Sequence, residues 1–236
     1  MLRKPFLDHL EDLRWTLIKI AVALVVTTGA TFFFAPQLLK VIMFPLQAVS
    51  SDGVVALRTL RPTSGFSISI KISFLFGLLV SLPLIFYFLT QFFLPALKGK
   101  ERRWLGPLFL AGAGLFLTGV CFCYFVVLPM TLSFLWRYTE RMNLANDWTI
   151  EYYVSFVAGL VLVFGIVFEL PIVVLGLVRA HILTPEFLRQ KRAYAIVLIL
   201  IIAAVLTPPD VISQILLAVP MLLLYEASIL TAKFFK

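Results

Sequence analysis

The stretch VFGIVFELP, residues 163–171, places a single carboxylate, Glu169, inside an apolar run that extends from about Tyr152 to Val178. An ionisable group at that depth is costly unless it faces a bundle interior, a partner or a water-filled cavity, so it is by default a candidate functional site. Pro171 lacks a backbone N–H and is expected to bend a helix close to the charge. We therefore expect the other apolar runs of the chain to form helices around this point.

The composition is that of a membrane protein. The 236 residues are 61% hydrophobic and 14% charged, whereas soluble domains are about half apolar and a quarter charged. Because no polar stretch is long enough to form a separate core, we expect one all-α integral membrane domain over residues 1–236. The net charge of +8 could indicate nucleic acid. Its basic residues lie in short clusters between apolar runs, however, as in cytoplasmic loops, so no nucleic-acid partner is expected.

The apolar runs predict six kinked transmembrane helices, of which the last two are short. Residues 1–15 carry leucines at helical spacing and predict a cytoplasmic interfacial helix. Residues 35–65 and 129–150 are long connections, the first with a short helix before Pro45. Prolines inside the apolar runs predict the kinks. The predicted spans are about 16–34, 66–92, 104–128, 152–178, 193–206 and 211–230.

The basic residues also predict the orientation. Most Lys and Arg residues lie near the two termini and in the segments 95–103 and 179–192, and fewer lie in the other connections. By the positive-inside rule both termini are cytoplasmic, which requires an even number of spans. Six spans satisfy this condition.

The sequence lacks the motifs of common enzymes. It contains no HExxH, no GxSxG and no P-loop. Cys121 and Cys123 point to different faces of a helix and cannot share a metal ion. His9 and His181 are isolated. We expect no enzymatic activity, no cofactor and no metal site.

Four acidic residues stand out near the predicted basic cytoplasmic surface: Asp8, Glu11, Asp12 and Glu101. They could pair locally with neighbours such as Arg14, and such exposed pairs contribute little stability. They could also form an anionic patch that captures a cationic ligand, because guanidinium groups bind carboxylates in a bidentate manner. The residues alone leave both interpretations open.

Two further carboxylates have structural interpretations. Glu226 lies close to the basic end of the last apolar run, where a pair with an interfacial arginine is expected. Asp210 follows two prolines at the predicted outer turn, where we expect it to cap the last helix.

Four segments together resemble one family. HLEDLR at residues 9–14, PALKGKERR at 95–103, FGIVFELP at 164–171 and LTPPDV at 206–211 are similar, in this order, to motifs of the TatC family. TatC is the integral receptor subunit of the twin-arginine protein translocase. The resemblance covers nearly the whole chain and implies a glove-like, six-span fold.

The resemblance also implies a function. A TatC protein binds the twin-arginine signal peptides of folded precursor proteins. With single-span TatA-type and TatB-type subunits it supports export driven by the proton-motive force. It lies in the lipid bilayer of a bacterial-type cytoplasmic (inner) membrane and is expected to form an oligomer in the receptor complex.

The resemblance assigns residues as well. The signal-binding carboxylates of the family correspond to Asp12 and Glu101, and Arg14, in the same signal-peptide-binding set, would orient Asp12 or the loop. Glu169 would be an intramembrane polar or partner site. The expected structural or partner contacts are Pro45, Phe92, Asp210 and Glu226.

Three positions depart from the family pattern. Asp12 replaces the usual glutamate and is one methylene shorter, Thr16 replaces a residue that is often basic, and the common Tyr-Gln pair appears as Tyr87 followed by Gln91.

The alternative function is a proton-coupled secondary transporter that uses Glu169.

Overall fold

The computed structural model describes residues 6–49, 57–93, 99–144, 147–179, 183–206 and 211–234, and these are almost entirely helical. This confirms the all-α class. One short parallel pairing joins Arg58 to the chain at Thr149. The elements are α1 (Phe6–Phe32), α2 (Ala35–Gln47), α3 (Ser64–Phe93), α4 (Gly99–Phe122), a π-helical turn (Cys123–Val127), α5 (Leu128–Arg141), α6 (Ile150–Phe168), α7 (Leu170–Arg179), α8 (Pro185–Gln190), α9 (Arg192–Leu206) and α10 (Val211–Phe234).

Four apolar helical segments of the described chain are long enough to cross a membrane. Two shorter apolar helical segments, Arg192–Val205 and Leu217–Thr231, follow them. This order agrees with four full spans and two short ones, while the count of six membrane crossings stays a prediction. The four long segments are Leu10–Phe32, Ser64–Phe92, Phe109–Arg141 and Ile150–Val178.

The third long segment differs from its prediction. The sequence places the end of the span at about residue 128, but the helix continues through the π-helical turn into α5 and ends at Arg141. The charged residues of α5 lie on its exposed side, while Leu128, Thr131 and Leu132 are buried. Amphipathic periodicity therefore extends the helix into a stretch whose composition predicts a polar connection.

Three other boundaries follow from local chemistry. Helix α1 is continuous from Phe6, so the predicted interfacial helix and the first span form one element. Helix α2 is longer than expected and contains Pro45. Between α6 and α7 the helix is interrupted at Glu169, two residues before Pro171, as expected for a proline that cannot continue the hydrogen-bond ladder.

The chain folds into two compact units, of which unit 1 comprises residues 1–39 and 69–114 and contains all of α1 and most of α3. These two helices approach closely, because a Cβ atom added at Gly77 would lie 2.6–2.8 Å from atoms of Thr28. Thr27 donates a hydrogen bond of 2.8 Å to the carbonyl of Gly77, and Thr31 donates one of 2.8 Å to the carbonyl of Ser73. A glycine and hydroxyl side chains thus hold these apolar helices together, a common device in membranes.

Unit 2 comprises residues 40–68 and 115–236 and contains a second close helix crossing. A Cβ atom at Gly119 would lie 2.7 Å from the carbonyl oxygen of Phe164, and one at Gly165 would lie 2.5 Å from the ring of Phe116. Phe116 and Phe164 are buried at this crossing. The α4–α6 contact therefore depends on glycine at two positions.

Candidate functional site

The amino-terminal candidate residues lie on α1 in unit 1. Asp12 is half-buried, and its backbone carbonyl accepts a hydrogen bond of 2.8 Å from the hydroxyl of Thr16. Arg14 and Glu11 are exposed. Residues 8–14 form regular helix within α1, so Asp12 and Arg14 point to different faces, about 200° apart at 100° per residue. The side chains of Asp12 and Arg14 therefore face different surroundings, although they are only two residues apart.

Glu101 lies in the first turn of α4, which begins at Gly99. It belongs to the same compact unit as Asp12. A carboxylate in the first turn of a helix is favourably placed relative to the helix dipole. The side chain of Glu101, together with those of Asp8 and His9, lies outside the side chains that the structure describes.

Glu169 is located where α6 gives way to α7. Its amide donates to the carbonyl of Ile166 at 3.1 Å, and its carbonyl accepts from the amides of Ile172 and Val173 at 3.1 and 2.9 Å. The side chain is half-buried. Its Oε1 atom is shielded from solvent and has no hydrogen-bond partner among the described residues.

Phe168, the residue before Glu169, lies among other aromatic side chains. Phe122 contacts Phe168, with ring centroids 5.6 Å apart, and also Phe164, at 6.1 Å. Gly119 lies against Phe168. A buried acceptor without a partner costs free energy.

Pro45 lies inside α2, and one of two tyrosines that donate to this helix compensates for it. Proline has no N–H, so the carbonyl four residues earlier, that of Val41, loses its helical donor. The hydroxyl of Tyr124 donates to this carbonyl at 2.6 Å, and the hydroxyl of Tyr153 donates to the neighbouring carbonyl of Ile42 at 2.6 Å. No sequence pattern selects either tyrosine, because their partners are distant backbone atoms.

Of the remaining predicted contacts, Glu226 has a charged partner. Glu226 forms an ion pair with Arg192, whose Nη2 lies 2.5 Å from its Oε2. Phe92 lies near the end of α3 and is half-buried. Asp210 and His181 lie outside the described residues. Within the described part of the chain, no group of three or more His, Cys, Asp or Glu side chains could hold a metal ion.

A polar cluster before α6 is not predicted by the sequence. The buried hydroxyl of Ser64 donates to Oε1 of Glu151, and Arg58 forms an ion pair of 3.3 Å with Asp147. Backbone hydrogen bonds link Arg58 to Trp148 and Ile150. These contacts fasten the segment before α3 to the start of α6, and their partners are more than 80 residues apart in sequence.

Comparison with known proteins identifies the family. The family model for TatC, the Sec-independent protein translocase protein, matches residues 8–220. TatC of Aquifex aeolicus is 40% identical over 230 residues, which are 97% of this chain and 95% of that protein. TatC of Akkermansia muciniphila is 43% identical over 191 residues, which are 78% of this chain but only 55% of that protein.

A solved structure agrees with the sequence comparisons. A crystal structure of the twin-arginine translocase receptor TatC matches this fold with a TM-score of 0.87 at 40% identity, covering 96% of this chain and 99% of that one. Membership of this family favours a function in protein translocation over the alternative function, proton-coupled transport of a solute. A chain that matches the family model over most of its length and shares the fold of a solved member belongs to the TatC family of Sec-independent protein translocase proteins.

Proposed function

We propose that this chain is the receptor and core component of a twin-arginine translocase, that it binds twin-arginine signal peptides of folded precursors, and that it has no enzymatic activity of its own. Single-span TatA-type and TatB-type subunits join it in an oligomeric complex, and the proton-motive force drives export. The protein lies in a bacterial-type cytoplasmic membrane with both termini in the cytoplasm. The charge distribution of the loops supports this orientation.

Asp12 and Glu101 are the residues that bind the two arginines of the signal peptide. The observation that carries this assignment is the half-buried Asp12 on α1, in the same compact unit as the first turn of α4 that bears Glu101. Two guanidinium groups need carboxylates at the membrane surface, where the apolar part of a signal peptide can enter lipid. Arg14 orients this region.

Glu169 is the second contact, within the membrane. Its solvent-shielded Oε1 without a described partner supports this role, since a helix or signal segment that brings a donor would satisfy it. This makes Glu169 a docking point for a partner rather than a proton carrier.

Photo-crosslinking of a twin-arginine signal peptide to this protein in membrane vesicles tests the proposal. Asp12→Asn and Glu101→Gln remove charge with little change of shape, and each is expected to reduce crosslinking at least about tenfold through loss of charge-assisted hydrogen bonds. The same signal with both arginines replaced by lysine should crosslink weakly to the unaltered protein.

Glu11→Gln is the matched control, because Glu11 is an exposed carboxylate next to Asp12 on the same helix. It is expected to leave crosslinking unchanged. Equal losses in all three variants would indicate diffuse electrostatic attraction. Normal crosslinking in both Asp12→Asn and Glu101→Gln, with normal protein levels, would refute the assignment.

A further inference from the structure

One face of α5 forms a groove that contains none of the residues assigned above to signal-peptide or partner binding. Its lining residues recur at helical spacing, three and four apart, and we call them the α5 stripe: Met130, Ser133, Phe134, Arg137, Tyr138 and Arg141. Met130 and Tyr138 are 52% and 53% exposed. The stripe therefore changes along the helix from apolar to aromatic and basic.

No described carboxylate forms an ion pair with the basic end of the stripe. Three carboxylates lie nearby in sequence, and each is engaged elsewhere. Glu140 accepts from the indole of Trp136 at 2.8 Å, Asp147 pairs with Arg58, and Glu151 accepts from Ser64. Arg137 and Arg141 are both exposed, and neither forms an ion pair within the part of the chain that the structure describes.

The position of the stripe relative to the membrane follows from length. The helical segment Phe109–Arg141 has 33 residues, or about 50 Å at 1.5 Å per residue, against about 30 Å of hydrocarbon. Its last turns therefore reach the headgroup region. Trp136 and Trp148 stack edge to face here, with centroids 5.8 Å apart, and tryptophan is enriched at this depth.

We propose that the α5 stripe binds one anionic phospholipid, with its phosphodiester between Arg137 and Arg141 and an acyl chain along Met130 and Phe134. Two arginines one turn apart can each present a fork of donors to phosphate oxygens. The rings of Phe134 and Tyr138 are stacked at 6.0 Å and form an apolar wall for the glycerol and upper acyl region. The apolar end of the stripe commits the site to a lipid rather than to a soluble anion.

The test uses the full-length protein purified in a mild detergent and titrated with dioleoyl phosphatidylglycerol, with bound lipid counted by native mass spectrometry. Arg137→Gln/Arg141→Gln is expected to weaken binding of one lipid at least about tenfold. Arg137→Lys/Arg141→Lys, which keeps the charge but loses the fork, should give a smaller loss. Dioleoyl phosphatidylcholine should bind much more weakly to the unaltered protein.

Lys40→Gln/Arg61→Gln is the control, because it also removes two exposed charges that the sequence predicts on the same membrane side. It should leave the bound lipid in place. Equal loss in this control, full retention in both Arg137/Arg141 variants, or displacement of the lipid by an excess of inorganic phosphate would each overturn the proposal. Thermal unfolding in the same detergent verifies that each variant is folded. If the double glutamine variant does not fold, the double lysine variant still tests the proposal.

Discussion

The hydroxyl group of Tyr124 donates a hydrogen bond of 2.6 Å to the backbone carbonyl of Val41, the carbonyl that Pro45 leaves without its helical donor. A proline inside a helix usually costs about 3 kcal/mol or more, in part through this lost hydrogen bond. Here a side chain from the π-helical turn supplies the missing donor. The contributions of Tyr124 and Pro45 to stability are therefore expected to be coupled.

We predict that Tyr124→Phe lowers the free energy of unfolding by about 1 kcal/mol, the usual net contribution of one hydrogen bond. In a Pro45→Ala background the cost should fall toward zero, because the restored N–H at position 45 can donate to Val41. Thermal unfolding in detergent of the four proteins of this double-mutant cycle measures the coupling.

Tyr87→Phe is the matched control for this cycle. The hydroxyl of Tyr87 accepts a hydrogen bond of 2.7 Å from the side chain of Gln91, so its loss leaves no backbone carbonyl without a donor and should cost only a few tenths of a kcal/mol. The same cost of Tyr124→Phe with and without Pro45 would show that the two residues are independent.

Gly119→Ala is predicted to destabilise the protein by about 1–3 kcal/mol, as overpacking of a well-packed contact does. Its Cβ atom would lie 2.7 Å from the carbonyl oxygen of Phe164, which is backbone and yields little. Protein levels in the membrane and unfolding temperature provide the measurement. Gly176→Ala is the control, since nothing lies within 4 Å of its added Cβ atom, and it should be neutral or stabilising by up to about 1 kcal/mol. Similar behaviour of both variants would contradict this interpretation.

Glu169→Leu is predicted to separate stability from function. Leucine removes a solvent-shielded oxygen that has no described partner, so the unfolding temperature should stay the same or rise. Export of a twin-arginine precursor from intact cells should fall at least about tenfold, since an intramembrane carboxylate is retained for function. Ile166→Leu, one turn earlier at a position 62% exposed, should change neither quantity. A marked loss of stability in Glu169→Leu would assign the carboxylate a structural role instead.

The ion pair between Arg192 and Glu226 is predicted to contribute about 0.5–1 kcal/mol, because both side chains are more than 40% exposed. Glu226→Gln and Arg192→Gln should each lower the unfolding temperature slightly. The double variant should cost no more than the more damaging single change, and raising the salt concentration should reduce each effect. Additive losses would mean that the two residues do not stabilise each other.

The apolar runs carry most of the information on the fold. Long stretches without charge predict spans reliably, because a lipid-exposed backbone must be helical to satisfy its own hydrogen bonds. The run around Glu169 and Pro171 correctly predicts an interruption of the helix beside the charge. The cap of α8 is also predictable, and the Thr184 side chain accepts from the amide of Phe187.

The features that the sequence does not predict depend on partners that are distant along the chain or on a mixed composition. Helix α5 is hard to recognise because its exposed face carries Arg137 and Arg141 and because its first turn contains Pro129, although proline is tolerated in a first turn. The bond from Tyr124 to Val41 joins residues 83 positions apart. Hydropathy indicates a residue's preference for lipid, but it does not predict which backbone carbonyl will accept a hydrogen bond from a given hydroxyl group.

The π-helical turn at Cys123–Val127 has a consequence for chain length. Such a turn accommodates one extra residue in a helix, and each residue rotates a helix by about 100°. Removing any one of the five residues would restore a regular helix of almost unchanged composition. If the segment kept its present length but formed regular α-helix, everything beyond it would be rotated by about 100°, which would bury part of the α5 stripe and expose residues such as Leu132. The π-helical form of this turn therefore determines which face of α5 is buried.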